Sequence, residues 1–245
     1  RRQLTVPILV DKVTRSVVSN DSDEICHFLN ARFNAHATRP ELDLYPEALR
    51  GEIEGIDDMF YPGVADGVRR GVRVLWSAAA AAARGEPRIG TQVYRCAFAK
   101  TDEAYHEART FLYETLNFIE RRLEDRSFIC GEEPTLADVR CFTHLVRFDG
   151  CYHDCMLRGE PDNAYLGPRT VDFLRRVYEL PGGAAACDQH WATVAYFKLH
   201  GRFPSLEAVN AIYDKSRYDW MPSIAECERK RAAEGIPASI CDYLE

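Results

Sequence analysis

Residues 4 to 10, Leu-Thr-Val-Pro-Ile-Leu-Val, form a short apolar and β-branched run, Asp11-Lys12 interrupts it, and a second run ends at Val17-Val18. Two such runs around a polar break predict a β-hairpin. Pro7 lies inside the first run, and a residue without an N–H cannot donate to a ladder, so it marks an edge, a bulge or a strand entrance. After Ser19-Asn20-Asp21 the period changes. Ile25, Leu29 and Phe33 recur at every fourth position, which predicts a helix with Ser22 as its N-cap. Beyond Arg39 no strong strand pattern returns.

The rest of the chain has helical periodicity. Leu49, Ile53, Ile56 and Phe60 share one face, with Pro46 placed to suit the first turn. A longer stripe of Ala104, Ala108, Leu112, Leu116, Ile119 and Leu123 is entered through Thr101, with Asp102 and Glu103 where a helix dipole favours acids. A further helix opens at Thr135, whose hydroxyl can cap while Asp138 reaches back, and Pro134 and Val139 are placed to staple its entry. Val171, Leu174 and Val177 mark another, stopped by Pro181-Gly182-Gly183. These patterns predict an α+β chain in which a small mixed element, residues 1–38, precedes an all-helical domain, residues 39–245.

One stretch departs from its surroundings. Residues 69–93 hold six consecutive alanines, Ala78 to Ala83, and five arginines against the single acid Glu86, a local charge of +4 in a chain of net charge -7. This reversal of sign marks an insertion, and the rival reading is an alanine-rich surface helix of the fold, since alanine is the best helix former. The overall composition, 46% hydrophobic and 28% charged, is that of a globular protein. A net negative charge argues against nucleic acid or an anionic membrane surface as partner, because phosphate binding needs clustered Lys and Arg. No apolar run reaches the length of a membrane span.

The nine cysteines include no CxxC pair and fall mostly within apolar helical patterns, which suits free thiols in the reducing cytoplasm or an organelle. Cys151, His153 and Cys155 stand at ligand-like spacing, but a zinc site needs about four ligands and no fourth accompanies them, so buried thiols beside a histidine are the better reading. His144, between Phe142 and Leu145, reads as a core or interface histidine.

Three stretches together point to a family: Val6-Pro7-Ile8-Leu9-Val10-Asp11, then Asn20-Asp21-Ser22-Asp23-Glu24-Ile25, then Gly131-Glu132-Glu133-Pro134-Thr135-Leu136-Ala137-Asp138. Their order resembles the glutathione transferase superfamily. Asp43-Leu44-Tyr45-Pro46 with Tyr61-Pro62, Tyr94 to Thr101, and Leu145-Val146-Arg147-Phe148-Asp149 narrow the resemblance to the glutathionyl-hydroquinone reductases, the xi-class, omega-like branch. The resemblance implies a partial thioredoxin-like glutathione-binding element followed by an all-α glutathione-transferase C-terminal domain, in a detoxifying enzyme that uses glutathione as co-substrate and forms a homodimer. It implies that Pro7 is preceded by a cis bond and that the backbone of Val6 meets the cysteinyl part of glutathione. Asp21 would face the γ-glutamyl ammonium, and Ser22 with the helix N-terminus would receive the carboxylate. Tyr94 and Tyr196 would contact a small, quinone-derived aromatic acceptor. The family nucleophile is a cysteine in a Cys-Pro motif with a lowered pKa. None of the nine cysteines is followed by proline, so that residue is expected upstream of Arg1. Two other readings remain: a catalytically silent module of this fold, or an omega-type transferase with other acceptors.

Overall fold

The structure is a computed structural model, which describes residues 7–60, 89–153, 156–158, 166–188, 192, 218–222, 226, 229 and 232–233. The predicted hairpin forms: β1 (Leu9–Asp11) pairs antiparallel with β2 (Ser16–Ser19), and the register slips between Leu9 and Val10. Asp11 closes its turn by accepting the N–H groups of Val13 and Thr14 at 2.7 and 3.1 Å, and Arg15 takes φ 54°. Helix α1 (Ser22–Arg32) follows directly. Its stripe behaves differently from expectation. Leu29 and Phe33 remain 45% and 43% exposed, and no residue of α1 is fully buried.

The helical part is built as its periodicity indicates. Pro46 precedes a short 3-10 turn (Glu47–Leu49) that runs into α2 (Arg50–Phe60), so the proline stands at the entrance of that turn. Helix α3 (Ile89–Phe98) packs along α4 (Asp102–Arg122), the longest described helix. Thr101 caps α4 by accepting the N–H of Ala104 at 3.2 Å. Ala108, Leu112 and Ile119 of the expected stripe are fully buried, Leu116 and Leu123 nearly so, and Tyr105 and Thr115 join them. Burial of such side chains stabilises by about 1.5 to 3 kcal/mol each for the larger aliphatic ones. Helix α5 (Leu136–Leu145) lies against α2, and α6 (Pro168–Glu179) against α4 and α5, with Val171, Leu174 and Val177 facing inward.

Residues 89–93, which composition groups with the arginine- and alanine-rich stretch, open α3, and Val93 is fully buried; residues 69–88 lie outside the described residues. Between α5 and α6 the chain makes a π-helix (Phe148–His153), buried throughout. The N–H groups of Cys151 and Tyr152 both reach the Arg147 carbonyl, at 2.9 and 3.0 Å, and the Asp149 carboxylate accepts the Leu166 N–H and the Tyr218 hydroxyl. Asp149 thus pins two distant stretches to the end of α5.

Candidate functional site

The start of α1 is capped by Asp21 and not, as the sequence suggests, by Ser22. Asp21 has extended backbone, φ -104° and ψ 120°, and its Oδ1 accepts the N–H groups of Asp23 and Glu24 at 2.9 and 3.1 Å. An aspartate side chain reaches both orphan donors from that position, so Ser22 becomes the first helical residue. Glu24 stands at the third helical position, where a capping box would have it accept the Asp21 N–H. Here the contact is relayed. The Asp21 N–H donates to the Ser19 hydroxyl at 3.1 Å, and that hydroxyl donates to Glu24 Oε2 at 2.7 Å. Ser19 is buried, and the Asp21-x-x-Glu24 spacing was the signal that could have located it.

Because α1 buries little, polar contacts place it. Asn30 donates to Asp43 at 2.8 Å and accepts the Leu44 N–H at 2.9 Å, while the Leu44 carbonyl accepts the N–H of Leu136 at the head of α5. His27 packs its ring edge-on to Tyr45, 4.3 Å between centroids, and its Nε2 lies 3.3 Å from Asp23. Burial lowers the His27 pKa, with Glu54 opposing, so the ring is neutral at pH 7. The cation at Asp23 is Arg140 of α5. Its guanidinium donates to Asp23 on α1 and to Asp57 on α2, and it is only 12% exposed. The sequence pattern gave no sign of this contact.

Of the expected site residues, Asp21 and Ser22 therefore share the first turn of α1, and Pro7 is exposed just before β1, while Val6 lies outside the described residues. Tyr94 is half-buried on α3, its ring nearly parallel to that of Phe98 at 6.3 Å between centroids and 11° between planes. Tyr196 lies outside the described residues. The hydrogen bonds of the Asp21 side chain stay within the first turn of α1.

Three of the described thiols are disfavoured as thiolates. Burial raises the pKa of Cys26, Cys130 and Cys141, and the carboxylates of Asp21 (for Cys26) and Asp138 (for the other two) add to it. Cys151 and His153 sit in the buried π-helix, Cys155 is outside the described residues, and no group of three or more metal-binding side chains occurs among the described residues. Among them, too, no helix is long and apolar enough to cross a membrane.

At the head of α5, Asp138 accepts the Ile129 N–H through Oδ1 and the N–H and hydroxyl of Thr135 through Oδ2, all at 2.7 Å. The expected capping box is therefore present, and its acid also fixes the preceding turn, where Gly131 adopts φ 147°. This segment falls within residues 102–166, which match the family of the glutathione S-transferase C-terminal domain. The glutathionyl-hydroquinone reductase PcpF of Sphingobium chlorophenolicum is 36% identical over 159 residues, 64% of this chain and 42% of that protein. The glutathionyl-hydroquinone reductase YqjG of Escherichia coli K12 is 31% identical over 201 residues, 81% of this chain and 52% of its own length.

The chain is similar to the xi-class, glutathionyl-hydroquinone reductase branch of the glutathione transferase superfamily.

The glutathione-bound structure of YqjG superposes on this glutathione transferase fold with a TM-score of 0.61 and 29% identity, covering 80% of this chain and 55% of that one. The xi transferase from Phanerochaete chrysosporium gives a TM-score of 0.59 and 31% identity, over 79% of this chain and 55% of its own. The chain spans about half the length of these relatives. A partial thioredoxin-like element with an all-α C-terminal domain is the fold that both the expectation and the structure give.

Proposed function

We propose that the whole protein is a glutathione-dependent thiol transferase that reduces glutathionyl-hydroquinones to hydroquinones. The likeness to two reductases so named, at 31% and 36% identity, carries this reading. It speaks for an enzyme over a silent module, and for hydroquinone adducts over other acceptors. In this reading residues 1–38 belong to the glutathione-binding domain and residues 39–245 form the helical domain that receives the aromatic acceptor. The protein works as a homodimer in the cytoplasm.

The first turn of α1 suits the γ-glutamyl end of glutathione. Asp21 spends Oδ1 on its cap, so Oδ2 serves the substrate ammonium, while Ser22 and the positive end of the helix take the carboxylate. The backbone of Val6 before Pro7 meets the cysteinyl unit. Tyr94 and Tyr196 stack on and donate to the quinone-derived ring, a dual role open to a phenol.

The reaction runs in two displacements. A cysteine thiolate attacks the sulfur of the adduct, the carbon–sulfur bond breaks, and the aromatic carbon takes a proton to leave as hydroquinone. A second glutathione thiolate then attacks the mixed disulfide, giving oxidised glutathione and restoring the enzyme thiolate. We assign the nucleophile to a cysteine followed by proline; Cys26, Cys130 and Cys141, with raised pKa values, are not candidates.

The test is turnover of a glutathionyl-hydroquinone by the whole protein with excess glutathione, following hydroquinone by chromatography and oxidised glutathione by a coupled reductase. One equivalent of each per adduct is the expected result. Absence of turnover in a folded, glutathione-binding protein would establish the silent module.

A further inference from the structure

A salt bridge at the surface usually contributes little, because water screens it and two long side chains must be held still. The contact made by Arg140 is of another kind. Its side chain is 12% exposed, Asp57 is 14% exposed, and one guanidinium serves carboxylates on two different helices, Asp57 on α2 and Asp23 on α1. A planar fork of donors can bridge two acids in this way, whereas an ammonium is a point charge. Asp23 lies two residues after Asp21, and its own N–H is one of the two that Asp21 Oδ1 accepts. Arg140 therefore grips the very turn whose cap is Asp21.

Two further observations give the grip a consequence. Helix α1 has no fully buried residue, so apolar packing does little to fix its angle on the helical domain. Its first turn also gathers three carboxylates, Asp21, Asp23 and Glu24. Such a cluster would repel the substrate carboxylate that the helix end is to receive. His27, neutral at pH 7, does not offset it, whereas Arg140 is bonded to Asp23 and close enough to Asp21 for the two charges to interact.

We propose that Arg140 is a positioning residue for glutathione: it holds Asp23 so that the first turn of α1 is fixed in place and its excess negative charge is balanced when the γ-glutamyl group arrives. This rests on the reading of Asp21 and Ser22 given above. Asp57 is the anchor on the far side, orienting the guanidinium. Glutathione does not touch Arg140; the effect passes through Asp23.

The experiment is calorimetric titration of the whole protein with glutathione, alongside melting curves. Arg140→Gln should weaken binding by roughly three- to tenfold, the range expected when a group outside a site tunes it. Asp23→Asn should weaken it to a similar degree, and the Arg140→Gln/Asp23→Asn pair should be no worse than the poorer single variant. Arg140→Lys should recover part of the affinity. If Arg140→Gln alone folds poorly because Asp57 is left as a buried unpaired charge, the Arg140→Gln/Asp57→Asn pair removes that charge and carries the same prediction. Unchanged glutathione affinity in folded Arg140 variants, with Asp21→Asn weakened, overturns the proposal and leaves the site reading intact. Unchanged affinity in Asp21→Asn as well overturns the site reading itself.

Discussion

Asp21 holds two roles that can be separated by chemistry. As a cap it needs only a side-chain oxygen, and asparagine caps as well as aspartate does. As a partner for an ammonium it needs its charge. Asp21→Asn is therefore expected to leave the melting temperature of the unliganded protein nearly unchanged, whereas Asp21→Ala should cost about 1 kcal/mol of stability in urea unfolding. Equal loss in both variants would mean that the carboxylate's charge, and not its cap, stabilises α1. His144 makes a second prediction at this scale. Burial, and secondarily Arg147, lower its pKa from 6.5 to about 4. Between these values the unfolded chain binds the proton and the folded one does not, so the stability His144 contributes is present above pH 6.5 and is lost as pH falls toward 4. That contribution is at most about 2 kcal/mol between pH 7 and pH 5. His144→Gln should flatten this part of the acid limb in urea titrations at the two pH values; an unchanged slope would show that other groups set it.

The helices of the C-terminal domain were legible in the sequence because each buries one stripe against its neighbours. Ile53, Leu112, Ile119 and Leu174 are all fully buried where the helical spacing of three and four put them. The Thr135 box was legible for a different reason, since its bonds are local and depend only on spacing. Its acid does more than the motif alone indicates, because Ile129 lies upstream of the box. Asp138 is fully buried and receives three donors, so Asp138→Ala should cost about 2 to 4 kcal/mol, as two buried N–H groups lose their acceptor. A loss below 1 kcal/mol would show that water or a neighbour replaces it. What the sequence did not disclose were contacts between residues far apart in the chain. Arg140 to Asp23 spans 117 positions and Tyr218 to Asp149 spans 69, and no local period encodes either. A serine before an apolar period is a common helix start and points to Ser22 as the cap; the acceptor in the structure is Asp21, one residue earlier, with Glu24 in the register that betrays it.

At the scale of the molecule, the chain joins a firmly packed helical domain to an element held mainly by polar contacts. Eight of the nine exposed large hydrophobic residues among those described lie between Ile8 and Phe33, the ninth being Phe98. The orientation of α1 on the helical domain accordingly depends on Arg140, Asn30 and the His27–Tyr45 contact, and the glutathione reading depends on that orientation. The most direct test of the account is the affinity of the whole protein for glutathione, measured by calorimetry with the parent chain and with Asp21→Asn. Charge-assisted hydrogen bonds contribute about 1.5 to 3 kcal/mol, so the variant should bind roughly tenfold or more weakly while melting at nearly the same temperature. Equal affinity in the two proteins would contradict the account, because the start of α1 would then be a helix cap and nothing more.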